Sequence, residues 1–297
     1  MRIVRPKLFF ALAGTLAASA APAQAPSPLA PSFTTGPLQV APPPGQVSIY
    51  LSAAFAGDGK PIRSGVVWRV YEDRGDTAAV PPKVVARSKS PAPSFNLSPG
   101  NYVVHASYGF AGASKRVSLQ SGSASERLTI SAGALKLAGV VSESPVPPGR
   151  ISFSVYVPIG ANSEGRLVVS EARPGDIIRL PEGTYHVVST YGDSNAIMRA
   201  DLKVETGQVT EATLNHRAAT VTLKLVASEG GEAFAGTAFS VLTPGGDVIR
   251  EAIGAFPSLT LAEGEYVLIA RHEGQVYTKE FKVESGLDRD IEIIASR

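Results

Sequence analysis

Residues 180–187 read LPEGTYHV, and nearly the same phrase returns as LSPGNYVV at 97–104 and LAEGEYVL at 261–268. The shared pattern is Leu-x-x-Gly-x-Tyr. Each leucine ends one apolar run, and each tyrosine opens the next. Gly100, Gly183 and Gly264 stand where a tight corner calls for φ > 0, which a residue without a Cβ adopts freely. Tyr102, Tyr185 and Tyr266 follow two residues later. There a ring can be buried while its hydroxyl reaches an upstream backbone carbonyl, the tyrosine corner of β-sandwiches. The phrase therefore reads as a folding device, repeated because a domain is repeated.

Two further landmarks recur in the same order. An aromatic lies inside a β-branched run: Trp68 in VVWRVY, Phe153 in ISFSVY and Phe239 in TAFSVL. An alternating strand closes on Gly122, Gly207 and Gly286. Spacings between equivalent residues run from 79 to 86, so the chain is a triplication. Within the second copy, ALKLAGVV, RISFSVYV, EGRLVVSE, DIIRL, TYHVVSTY, AIMRADLKV and QVTEATLNH are seven short runs rich in Val, Ile, Thr and Tyr. Gly, Pro, Asn or Asp separates most of them. No stretch beyond the N-terminal segment sustains a helical period. The expected fold is all-β: three tandem immunoglobulin-like or prealbumin-like antiparallel sandwiches at 46–131, 132–217 and 218–297. The junctions SAG at 131–133 and RAA at 217–219 are short, which predicts a semi-rigid rod. Trp68, Phe153 and Phe239 share one slot and are expected in the cores.

The corner phrases PEGTYHV and SPGNYVV resemble the Pro-x-Gly-x-Tyr corner of PEGA-type and carboxypeptidase-regulatory-like modules. That resemblance covers the second half of each copy. It implies a prealbumin-like or immunoglobulin-like sandwich serving as a binding, spacing or stabilising part of a secreted protein. The third copy has AEGEY and lacks the proline.

The N-terminus carries Arg2, Arg5 and Lys7, then an apolar run from Leu8 to Ala18, then ASAAPAQAP. Charge, apolar core and an A-x-A exit make a secretory signal, residues 1–23, with the cut expected after Ala23. Residues 24–45 hold seven prolines and read as a disordered linker. After the cut, 25 Lys+Arg face 26 Asp+Glu, a formal net charge of −1. The pI near 8.8 thus belongs to the precursor, and no nucleic-acid or anionic-membrane partner is implied. With no cysteine, thiol chemistry, cysteine metal sites and disulfides are excluded. The processed chain is expected to be exported to the periplasm or the medium, not membrane-spanning, and a monomer.

The four histidines, His105, His186, His216 and His272, share no register. HEGQV at 272–276 has Val276 where a zinc protease needs its second histidine. No nucleophile elbow occurs, and GDGKP at 57–61 reads as a turn. No catalytic, cofactor-binding or metal residue is assigned. The expected function is that of a non-enzymatic envelope protein, a scaffold or protein-binding module. A polysaccharide-binding array is the alternative, and a hydrolase resting on His105 or His186 is a remote one. The partner is an envelope protein or a polysaccharide, without cofactor. The irregular stretch 72–96, with RGD at 74–76, is the expected contact surface, since loops carry specificity on sandwiches.

Overall fold

A computed structural model describes residues 42–75, 83–159 and 162–295. The expected signal segment, 1–23, and nearly all of the expected linker, 24–45, lie outside the described residues. So do 76–82, which belong to the expected contact stretch 72–96. Among the described residues no helix is long and apolar enough to cross a membrane.

The described chain is almost entirely strand, in three blocks of one topology. The first holds β1 (Val47–Phe55), β2 (Val66–Glu72), β3 (Val84–Ser88), β4 (Ser94–Leu97), β5 (Gly100–Tyr108), β6 (Ala111–Leu119) and β7 (Ser123–Ile130). The second holds β8 (Ala132–Val141), the two-residue β9 (Ser144–Pro145), a 3-10 turn (Pro148–Arg150), β10 (Ile151–Ile159), β11 (Asn162–Ala172), β12 (Ile177–Pro181), β13 (Gly183–Tyr191), β14 (Ile197–Val204) and β15 (Val209–His216). The third holds β16 (Ala218–Val226), β17 (Ala238–Leu242), β18 (Val248–Ile253), β19 (Ser258–Ala262), β20 (Gly264–His272), β21 (Gln275–Val283) and β22 (Arg289–Ile294). All seven runs read from the second copy are strands.

The first and third blocks each make one three-stranded and one four-stranded sheet, and the second adds β9 beside β8 to its smaller sheet. Their orders are β4-β1-β7 with β3-β2-β5-β6, then β12-β8-β15 with β11-β10-β13-β14, then β19-β16-β22 with β18-β17-β20-β21. In each block the first and last strands pair in parallel, β1 with β7, β8 with β15 and β16 with β22. All other ladders are antiparallel. The immunoglobulin constant domain groups its strands as ABED and CFG. Here the groups are the first, fourth and seventh against the second, third, fifth and sixth, which is a different partition.

Alternation decides which face is buried. β13 turns Tyr185, Val187, Ser189 and Tyr191 inward and Thr184, His186, Val188 and Thr190 outward. β8 is apolar nearly throughout because it runs mid-sheet between β12 and β15. Three separate cores result, centred on Trp68, Phe153 and Phe239, which are 0%, 0% and 1% exposed. The Trp68 indole Nε1–H is buried and makes no hydrogen bond to a described residue. Leaving such a donor unpaired costs about 1–3 kcal/mol, a cost the two phenylalanines avoid.

One expectation is corrected. The sequence predicts a tight corner with φ > 0 at Gly100, Gly183 and Gly264. Gly100 falls outside the positive-φ set, while Gly183 and Gly264 lie at +156° and +159°, at the border of extended backbone. The corner is an open crossover between sheets. Its glycine leaves room for the tyrosine ring folded back over it, which a Cβ would touch at 3.6–3.9 Å.

Candidate functional site

The three corner tyrosines have one geometry. Tyr102 donates to the Ser98 carbonyl at 2.8 Å, Tyr185 to Pro181 at 2.9 Å and Tyr266 to Ala262 at 2.8 Å. All three rings are buried, and burial raises each phenol above its ordinary pKa. Tyr266 also accepts from Asn195 Nδ2 at 2.9 Å, so it joins the third sandwich to the second. Tyr102→Phe removes one hydrogen bond and is expected to cost about 1 kcal/mol. Tyr266→Phe strands Asn195 as well and should cost about twice that, by denaturant titration.

The features that bring distant residues together are the joints between sandwiches. One residue, Ser131, separates β7 from β8, and one, Arg217, separates β15 from β16. At the first joint the tip of the β5–β6 hairpin seats on β12. Phe110 N–H donates to the Arg179 carbonyl at 3.0 Å. A Cβ at Gly109 would stand 2.5 Å from Arg179 Cβ and 2.6 Å from its carbonyl oxygen. The Arg179 guanidinium lies 5.2 Å from the Tyr108 ring centroid, a cation–π contact. Tyr108 in turn packs edge-on against Phe55.

The second joint repeats this plan with other chemistry. The tip of the β13–β14 hairpin seats on β19, and a Cβ at Gly192 would stand 2.4 Å from Thr260 Cβ. Arg179 and Thr260 are equivalent, each immediately before the corner leucine. Arg150 lies over the Tyr191 ring and donates to Thr260 Oγ1 at 2.7 Å. Asn195 Oδ1 accepts from Ala262 N–H at 3.0 Å. Arg217 grips Glu263 through two bonds of 3.0 and 2.7 Å, and Arg250 pairs with Asp193 at 2.7 Å. The described clefts follow these seams. Those of about 330 and 430 Å³ flank the second joint, and one of about 420 Å³ lies at the first.

The histidines are dispersed. His105 Nδ1 meets Ser114 Oγ at 2.8 Å, and burial and then Arg69 hold its imidazole below the ordinary value. His186 pairs with Asp201 at 2.8 Å, in another sandwich. His272 stacks on Phe234. Among the described residues no three His, Asp or Glu side chains are grouped to hold a metal ion. The stretch 72–96, expected to be irregular, is not so throughout, because β3 and most of β4 lie within it. RGD at 74–76 runs into the undescribed segment.

Sequence reasoning missed His216. It ends β15 at 1% exposure, bonded through Nε2 to Ser189 Oγ at 2.7 Å and edge-on to Tyr191. Its signal was one polar residue at an inward position of an alternating strand. Burial holds this imidazole below its ordinary 6.5, opposed by a hydrogen bond with the Ala196 backbone. The unfolded chain then binds the proton at higher pH than the folded one. The contribution is whole above the unfolded value and is lost as pH falls from there through the lower folded value. Acidification from about pH 7 to 5 should therefore lower the denaturant midpoint. His216→Gln should flatten that slope, whereas an unchanged slope would assign it to other groups.

Tip and receiving strand were also missed as a unit. Their signal was the Tyr-Gly dipeptide, Tyr108-Gly109 and Tyr191-Gly192, six and seven residues past the corner tyrosine.

The family model that matches describes a Rhizobiales growth-associated tandem repeat domain and covers residues 220–295, the third sandwich. It is not the PEGA-type family suggested by the corner phrase. None of the curated proteins matches the chain. Among solved structures, the TIE protein of Bacillus anthracis is 15% identical over 85% of this chain and 50% of its own, with a TM-score of 0.25. The chain thus spans about half the length of that protein. BcpA, the major pilin subunit of Bacillus cereus, is 9% identical over 84% of this chain and 100% of its own, TM-score 0.24. GBS52, a minor pilin of Streptococcus agalactiae, is 17% identical over 57% of this chain and 94% of its own, TM-score 0.30. At such scores the likeness carries no argument. The match to that model is confined to residues 220–295, which here fold as the third sandwich.

Proposed function

We propose that the chain is an exported, non-enzymatic scaffold of the cell envelope that holds three β-sandwiches in fixed succession and presents their loops or sheet edges to an envelope protein. The observation that carries this reading is the joint built twice on one plan. A linker of one residue, a glycine-tipped hairpin on the neighbouring strand and an arginine over the tip tyrosine orient each sandwich on the next. Such keyed succession suits a spacer or a platform. The charge, apolar run and A-x-A exit read in sequence at residues 1–23 support export.

A polysaccharide-binding array calls for exposed rings on one surface. Trp68, Phe153 and Phe239 are turned into the cores, and the exposed Phe110 and Phe256 lie in different sandwiches.

The test is expression of the tagged full-length chain followed by fractionation and chemical cross-linking in the envelope. The expected result is a chain trimmed after Ala23 by mass spectrometry, recovered with the envelope and cross-linked to a discrete protein. Retention in the cytosol would contradict export. Retardation on polysaccharide affinity gels without a protein cross-link would favour the rival.

A further inference from the structure

The first residue of each hairpin tip stands seven positions past the corner tyrosine, and the three are Gly109, Gly192 and Glu273. All have left-handed φ, at +63°, +72° and +47°. At the first two, an added Cβ would fall 2.5 and 2.4 Å from the neighbouring sandwich. These are distances no real Cβ contact reaches, and at Gly109 a backbone oxygen stands 2.6 Å away and cannot swing aside. The joint therefore seats only on glycine. The third tip carries a glutamate in the same backbone conformation. A two-residue turn with both φ positive favours Gly, Asn or Asp at its first position, so local turn chemistry gives no reason for Glu273.

The first sandwich carries the other half of a joint, open among the described residues. Asn96 takes the place of Arg179 and Thr260 and is exposed. Leu97 is half-buried, whereas its equivalents Leu180 and Leu261 are fully buried. A Cβ on Gly207 would lie 3.6 Å from the Phe55 ring of the preceding sandwich, and one on Gly286 2.4 Å from Ser142 Oγ, but one on Gly122 meets nothing within 4 Å. One chain thus offers a receiving face at its first sandwich and a hairpin tip at its third. A contact between them in two copies would be heterologous, and such contacts propagate into filaments when they do not close.

We propose that Glu273 keeps the third hairpin from seating on the first sandwich of a second copy, and so holds the chain back from head-to-tail polymerisation. Its side chain stands where the joint admits none. The inference rests on the joint alone, so it can fail while envelope capture succeeds, and the reverse.

Sedimentation velocity of the chain purified after export tests it. The wild type should sediment as a monomer across the accessible concentrations. Glu273→Gly should give a series of species that lengthens with concentration and passes beyond the dimer. Wild-type chain added to that variant should shorten the series, because it offers an open receiving face but no glycine tip. In the reciprocal arm, Gly192→Glu should open the internal joint and speed tryptic cleavage at Arg217 about tenfold, the change expected for a loss of about 1.4 kcal/mol of docking. A Glu273→Gly chain that stays monomeric, a wild type that associates as readily as the variant, or an Arg217 still protected in Gly192→Glu would each overturn the proposal.

Discussion

Phe153→Ala is expected to destabilise the second sandwich by about 3–5 kcal/mol, the cost of truncating a fully buried aromatic. Phe153 is 0% exposed at the centre of its core, and the two sheets that enclose it cannot collapse without breaking their ladders. Against a domain stability of about 5–15 kcal/mol, this is enough to make one block melt early. The chain supplies its own control. Its single tryptophan, Trp68, lies in the first core, so its fluorescence reports that block alone. In Phe153→Ala, circular dichroism should show an early transition while the Trp68 transition stays near its wild-type midpoint. If both move together by the full amount, the blocks are one cooperative unit and the three-core description fails.

Gly109→Ala is the second large effect. The left-handed φ at this position costs alanine about 1–2 kcal/mol. Forcing a methyl group against the Arg179 backbone adds about 1–3 kcal/mol of overpacking. Gly122→Ala is the matched comparison. Its φ is +77° with nothing within 4 Å, so it should bear the first cost without the second. Denaturant titration gives the two costs, and hydrogen exchange at Phe110, whose N–H bonds to Arg179, reports whether the joint has opened. Equal costs at the two glycines would mean that the tip does not seat on β12 as described.

The sequence made the strands legible where period-2 alternation was clean, as in ADLKVE and VTEATL, which lie in β14 and β15. It made the corner legible because Leu, Gly and Tyr act within six residues of one another. Strand pairing was less legible. The parallel ladder of β8 with β15 joins residues about 75 apart, and nothing local marks its direction. The reason for the corner glycine was misread because a crossover between sheets and a tight turn call for the same residue. The joint was hidden for a similar cause. Gly109 looks like any hairpin glycine until Arg179, 70 positions away, closes on it. His216 was passed over because a polar residue on an inward position reads as noise unless its partner, here Ser189, is known. The charged stretch at 72–76 drew attention by composition, but composition cannot say which part of it is strand.

Single-molecule extension of the chain, held at its two ends, tests the central claim most directly. In each block the first and last strands are parallel neighbours, so tension shears their hydrogen-bond ladder and each block should resist until it fails as a unit. From first strand to last the blocks hold 84, 85 and 77 residues. The account predicts three unfolding steps, each releasing roughly 260–290 Å of extended chain at about 3.4 Å per residue. One step releasing the whole length, or a smooth extension without steps, would contradict it.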